Sequence, residues 1–271
     1  MELRRLPTAV NPLERDEQSP LQAAIIALTH TLLGSLRSCR VIQAAPPKMV
    51  TMIADRLARV RERIEKAALS AGRDPNAITL VAVSKVKPAA DVREAYQAGQ
   101  RHFGENYVQE FDRKSAELGD LSGAVFHFIG KLQSNKTKPA ARLFQVIQTI
   151  DSLKLARRLD DCATPIDVFL EVKLSSEETK GGLDETDLTA VVEYCRGLAY
   201  LRLRGLMGMP PWFADPENVR PYFRRLRALA EKHDLREISM GMSHDLEAAI
   251  QEGSTLVRVG TAIFGERNVS R

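Results

Sequence analysis

The sequence predicts an α/β fold, a single closed (β/α)8 barrel of the TIM type. Three observations carry the prediction. Eight short strand-like runs alternate with helical ones, no internal linker breaks the alternation, and a chain of 271 residues matches the roughly 250 residues that such a barrel occupies. An open doubly wound sheet is the alternative, and the strand count favours closure.

The elements follow in order. Residues 52–72, MIADRLARVRERIEKAALSAG, repeat apolar residues at helical spacing and stop at Gly72, which makes an amphipathic helix with a glycine terminator. In residues 78–84, Ile78, Leu80, Val81 and Val83 form an apolar run of the kind buried on both faces in parallel sheets. Further strands are expected at 102–105, 125–129, 146–150, 167–173, 203–208, 237–240 and 256–259. Between them, helices at 89–98, 106–118, 134–142, 152–161, 185–197, 216–233 and 244–252 have the amphipathic periodicity of crossover helices.

Composition narrows the function classes. Hydrophobic residues make up 44% of the chain and charged ones 27%, ordinary values for a soluble globular protein. The net charge of +4 is small against 39 basic and 35 acidic residues, and no long basic run carries interleaved aromatics, so nothing supports nucleic-acid binding. Cys39, Cys162 and Cys195 are odd in number and lack CxxC spacing. They read as reduced thiols of a cytoplasmic protein, with neither a metal site nor a disulfide framework.

Residues 1–48 differ from the rest and read as an N-terminal extension, helical or flexible, ahead of a barrel at 49–271. Leu21 to Leu36 is apolar, but Thr29, His30, Thr31 and Ser35 interrupt it, and it is short for a membrane span. Glu14, Asp16 and Glu17 precede it, where a secretory signal normally avoids acid. QAAPPKM then reads as a linker, and Met49 or Met52 can equally begin the folded unit.

In a barrel, ligands sit at the C-terminal strand ends. The first strand ends on Ser84 and Lys85, and Lys is an odd residue to finish a buried strand. Either it snorkels into water, or it is a desolvated amine nucleophile. The other ends lead into HFGENYVQE, HFIGKLQSNK, GLMGMPP, SMGMSHDLE and VRVGTAIFG. Ser243 is the expected N-cap of a helix with Asp245 and Glu247 in its first turn, and a phosphate can accept from such a helix start. The Gly260–Thr261 turn adds backbone N–H groups and a hydroxyl, and phosphate sites formed by the loops after strands seven and eight recur in barrels. A phosphorylated ligand facing Lys85 across the mouth is the economical reading. If that ligand is an aldehyde, Lys85 forms a Schiff base with it.

Taken together, AVSKVKP, FGENYVQE, HFIGKLQSNK, TID, LRGLMGM and MGMSHDLEAAIQEGSTLVRVGTAIFG resemble the pyridoxal phosphate homeostasis protein family, related to the barrel domain of alanine racemase. The resemblance runs from about residue 53 to residue 269. It implies a fold-type III barrel without the C-terminal β domain of alanine racemase. The implied function is to hold pyridoxal 5′-phosphate (PLP) as a Schiff base in vitamin B6 homeostasis, as a carrier without established turnover. By the resemblance, Lys85 is the Schiff-base lysine, Ser243, Gly260 and Thr261 hold the phosphate, and Arg258 faces the pyridine nitrogen. Asn106 and His127 fall in segments lining the same mouth. Lys180 is either a second amine that holds PLP transiently or an exposed loop charge.

An arginine against the pyridine nitrogen disfavours its protonation and leaves the cofactor a weak electron sink. The chain ends about ten residues after its last strand, which leaves no room for the racemase's second domain, so a monomer and an open site are expected. Apo PLP-dependent enzymes are the implied partners. Two other readings stay open: a PLP-dependent racemase or lyase, and a barrel that uses Lys85 as an amine without PLP. Trp212 and Phe213 cover the mouth or pack under a loop, and the basic helix RPYFRRLRALAEK reads as a solvated surface.

Overall fold

The computed structural model describes residues 52–175 and 181–266. The expected extension at 1–48, Cys39 and Lys180 lie outside the described residues. Strands β1 (Thr79–Val83), β2 (His102–Glu105), β3 (Val125–Phe128), β4 (Val146–Ile150), β5 (Ile166–Val172), β6 (Leu201–Gly208), β7 (Glu237–Ser239) and β8 (Leu256–Val259) pair in chain order. All pairs are parallel, and β8 returns to β1 with Val81 opposite Arg258. The expected closed barrel is therefore the observed one, with strand boundaries shifted by one or two residues.

Successive residues of each strand face opposite sides of the sheet, and this alternation builds two cores. Val81, Val146, Phe169, Met207 and Leu256 form one buried cluster inside the barrel. The outward residues pack beneath the helices, where Phe111 lies between Phe126 and Phe144 with ring centroids 4.6 and 4.9 Å away. Such aromatic pairs add about 0.5–1.5 kcal/mol each beyond their buried area.

The outer layer consists of α1 (Met52–Ser70), α2 (Ala89–Gln97), α3 (Val108–Leu118), α4 (Thr137–Leu143), α5 (Leu153–Asp160), α6 (Glu185–Arg196), α7 (Arg220–Lys232), α8 (Leu246–Gln251) and the one-turn α9 (Thr261–Phe264). Helix α1 buries Ile53, Leu57, Val60, Ile64, Ala67 and Ala68, a stripe at 3 and 4 spacing. It docks between α8 and α2: Arg63 pairs with Glu247 at 2.6 Å, and the Ile53 amide donates to Glu94. Because α9 is too short to cover the seam after β8, α1 supplies the missing eighth helix from the front of the barrel.

Helix starts differ from expectation in informative ways. Helix α3 begins at Val108 rather than 106 because Tyr107, its N-cap, is extended. Short 3-10 turns, Ser134–Lys136 and Pro216–Val219, occupy the expected first turns of α4 and α7. In the second of these the Asp215 side chain accepts from the Glu217 amide, a local bond that competes with α-helical pairing. The helix after β7 begins at Leu246, and its N-cap is Asp245 instead of Ser243.

Candidate functional site at the barrel mouth

The lysine turn comes first. Lys85 and Val86 form the turn that leaves β1. Val86 has φ 61°, a left-handed conformation that a β-branched residue adopts only under constraint. The constraint is visible. The Val86 amide donates to Glu110 Oε1 at 2.7 Å, and Lys114 Nζ donates to the Ser84 carbonyl at 3.0 Å. Lys114 also pairs with Glu105 Oε1 at 2.9 Å and with Glu110 at 3.2 Å. Ser84 Oγ donates to the same Glu105 oxygen at 2.7 Å. Glu105 is fully buried, and desolvation raises its pKa although Lys114 opposes the shift. A buried charge cluster on β2 and α3 thus holds the backbone on both sides of Lys85.

The facing wall is built from the ends of β7 and β8. Ser243 lies in a turn whose backbone is clamped twice. The Asp245 carboxylate accepts from the Met242 amide at 2.5 Å, and Arg63 of α1 donates to the Ser243 carbonyl at 3.0 Å. Asp245 stands at the N-cap position of α8 with its carboxylate on the Met242 amide, and the Ser243 hydroxyl meets Thr261 Oγ1 at 3.3 Å. Gly241 (φ 92°) admits this turn, since a Cβ there would stand 2.4 Å from the Ala249 Cβ. Gly260 is the N-cap of α9, whose first N–H groups have no intrahelical partner.

Between the two walls lies a cavity of about 250 Å³ lined by Lys85, Asn106, Ser243, Arg258, Gly260 and Thr261, with Lys87 and the apolar Val83, Ile129, Met209 and Met242. Asn106 is held by close backbone approach, because a Cβ on Gly130 would sit 2.1 Å from the Asn106 carbonyl oxygen. Its Oδ1 is buried and has no hydrogen-bond partner among the described residues. Arg258 is buried. It donates to Ser239 Oγ at 2.6 Å and to the Gly208 carbonyl at 3.0 Å, two of the five donors a guanidinium has. Burial lowers its pKa to about 10, while Asp245 and Glu171 pull it upward, so it is charged at neutral pH.

Six of the seven residues singled out in the sequence meet in this one cavity. His127 does not. It is an inward residue of β3 placed below the strand end, and Ile129 lines the mouth in its stead. His127 lines a second cavity, of about 470 Å³, with Thr79, His102, Asp167, Arg204 and Glu237. Its ring nitrogens meet His102 Nδ1 at 3.0 Å and Gln148 Nε2 at 2.9 Å. Sequence reasoning did not find Lys87, Met209 or Met242 at the mouth, nor the Glu105–Lys114 pair, whose partners lie nine residues apart on different elements. Trp212 stacks on His244 at 5.8 Å on the rim, and Phe213 packs on Tyr222.

Burial lowers the His127 pKa from 6.5 to about 3, with the neighbouring His102 a secondary cause. The unfolded chain therefore binds the proton more readily, and the stability contributed by neutral His127 is present above pH 6.5 and lost as pH falls toward 3. At about 1.4 kcal/mol per pH unit the loss amounts to several kcal/mol. His127→Gln should flatten the acid limb of a stability–pH curve measured by urea unfolding. An unchanged acid limb would assign acid unfolding to other groups.

An eight-stranded barrel with a lysine after β1 and hydroxyl and glycine donors after β7 and β8 defines an alanine-racemase-type barrel domain. Comparison with known proteins agrees, since residues 56–268 match the family described as alanine racemase, N-terminal domain. More narrowly, the chain belongs to the pyridoxal phosphate homeostasis protein family. It is 49% identical over 225 residues to the pyridoxal phosphate homeostasis protein of Pseudomonas aeruginosa, covering 81% of this chain and 97% of that one. The structure of PipY from Synechococcus elongatus with PLP bound aligns with a TM-score of 0.71 and 41% identity, over 79% of this chain and all of that one. Alanine racemase from Corynebacterium glutamicum shares the fold, with a TM-score of 0.57 at 19% identity, over 81% of this chain and 62% of that one. Among the described residues no group of His, Cys, Asp or Glu is placed to hold a metal ion, and no helix is long and apolar enough to cross a membrane.

Proposed function

We propose that this chain holds PLP at the barrel mouth through Lys85 and serves PLP homeostasis as a carrier without catalytic turnover. One observation carries the reading. A single cavity brings Lys85, the paired hydroxyls of Ser243 and Thr261, and the buried Arg258 together. The site fits the cofactor chemically. Two hydroxyls 3.3 Å apart and the first turn of α9 are donors for a phosphate, and apolar Val83, Ile129, Met209 and Met242 suit a ring. The buried Asn106 Oδ1 is an acceptor awaiting a donor.

When bound, PLP supplies an aldehyde that condenses with an amine, and Lys85 supplies that amine. Ser243, Gly260 and Thr261 hold the phosphate, and Asn106 orients the group from the β2 side. Arg258 directs positive charge at the ring nitrogen and disfavours its protonation, which opposes carbanion chemistry. An apo PLP-dependent enzyme in the cytoplasm is the acceptor that such a carrier serves, and we assign it a monomeric state, with the barrel at 49–271 and residues 1–48 as an extension.

The test is borohydride reduction after PLP addition, followed by peptide mass mapping. A phosphopyridoxyl group on Lys85 supports the proposal, and modification only elsewhere ends it. Thr261→Ala should weaken PLP retention by about 1.5–3 kcal/mol, the range for one hydrogen bond to a charged group. Equal retention by equilibrium dialysis would place the phosphate away from Thr261. Steady turnover of an amino acid by the wild type that vanishes in Lys85→Ala would establish an enzyme in place of a carrier.

A further inference from the structure

A continuous hydrogen-bond chain crosses the barrel interior from the mouth toward the opposite face. Arg258 Nη1 donates to Ser239 Oγ at 2.6 Å, Ser239 Oγ donates to Gln148 Oε1 at 2.7 Å, and Gln148 Nε2 meets His127 Nδ1 at 2.9 Å. The last link joins His127 Nε2 to His102 Nδ1 at 3.0 Å, and His102 lines the 470 Å³ cavity beside Asp167, Arg204 and Glu237. Ser239 and Gln148 are fully buried, and His127 nearly so.

The direction of the chain follows from its first member. A guanidinium has donors and no acceptor, so Ser239 Oγ accepts from Arg258 and gives its own proton to Gln148 Oε1. That turns the Gln148 amide nitrogen toward His127, whose Nδ1 must accept. A neutral imidazole that accepts at Nδ1 carries its proton on Nε2, and this proton goes to His102 Nδ1. The same reasoning leaves the His102 proton on Nε2. Every link donates away from Arg258, and no link can be reversed alone. Burial keeps both rings neutral, since it lowers the pKa of His102 as well as that of His127.

We propose that Ser239, Gln148, His127 and His102 are positioning residues for Arg258. They form a one-way relay that holds the guanidinium at the cofactor mouth and makes its setting depend on the tautomers of two histidines below. The pairing of Val81 with both Arg258 and His102 shows how compactly the barrel joins these ends. The relay is a property of the chain itself, and only its effect on PLP rests on the function proposed above.

The test has two arms. In the protein without PLP, long-range proton–nitrogen spectra of the histidines should show His127 and His102 both as Nε2–H tautomers. Gln148→Glu, which has no donor for Nδ1, should switch His127 to the Nδ1–H form. His127 found as Nδ1–H in the wild type would overturn the relay. In the PLP-loaded protein, Ser239→Ala and Gln148→Met should displace the cofactor absorption band and weaken retention roughly tenfold, with Ser239→Thr restoring both. Thr261→Ala should weaken retention without moving the band. An unmoved band and unchanged retention in both relay variants would also overturn the proposal. If the wild type takes up no PLP, the function reading fails, and the tautomers still decide the relay.

Discussion

Lys85→Ala is expected to fold as the wild type does and to show no phosphopyridoxyl mass at residue 85 after PLP addition and borohydride reduction. The amine is the only part of the site that forms a covalent bond in the proposed function, and Lys87, the other amine lining the cavity, is engaged with the Phe264 and Glu266 carbonyls. The turn that carries it is held by its backbone, through the Ser84 carbonyl and the Val86 amide, neither of which the substitution removes. The fold should therefore survive the substitution, because the backbone bonds that set the turn remain. Residual noncovalent PLP is expected, because Ser243, Thr261 and Arg258 remain. An unfolded variant would make Lys85 a structural residue, and an undiminished adduct, mapped to another lysine, would move the site.

Lys114→Met should cost about 3–5 kcal/mol, the loss expected when one partner of a buried ion pair is removed. Met matches the length of the lysine stem but leaves the fully buried Glu105 carboxylate with the Ser84 hydroxyl as its remaining side-chain donor among the described residues. Its Oε2 already lacks a partner among the described residues. Glu105 then takes up a proton more readily, and its pKa, raised by burial even in the wild type, rises further. The sign follows: for an acid with a raised folded pKa, stability is fully present below the ordinary value of 4.5 and is lost as pH rises through the folded value. Compared with the wild type at the same pH, the variant's loss should thus be largest at neutral pH and shrink on mild acidification, while the acid loss due to His127 remains common to both. Replacing Glu105 by Gln in the same background should return part of the loss. A Lys114→Met variant within 1 kcal/mol of the wild type at neutral pH would show that the pair is not what holds the lysine turn.

The course of the strands was readable because a parallel sheet covered on both faces turns its strands into continuous apolar runs, and the site followed because barrel ligands gather where those runs end. Lys85, Ser243, Gly260 and Thr261 all stand just past such ends. Asn106 and Arg258 came from the family resemblance, and the structure brings them to the same cavity. His127 shows the limit of this reasoning. Two residues of displacement along β3 separate a mouth residue, Ile129, from one sealed inside, and the sequence alone does not locate a strand end that finely. Ser243 shows a second limit: two acceptors, Ser243 and Asp245, compete for one helix start, and either satisfies the local pattern. The structure puts Asp245 at the cap position with its carboxylate on the Met242 amide, and neither side chain caps the helix; the serine hydroxyl meets Thr261 instead.

What the sequence determined by itself is the barrel, the order of its strands and the chemistry present at their ends, because periodicity and residue type are local properties. Only the tertiary structure decided which charges are buried together, as for Glu105 with Lys114, and which polar groups form a line, as from Arg258 to His102. Those pairings join different elements of the barrel, and their energetics come from desolvation and geometry that exist only once the barrel has closed.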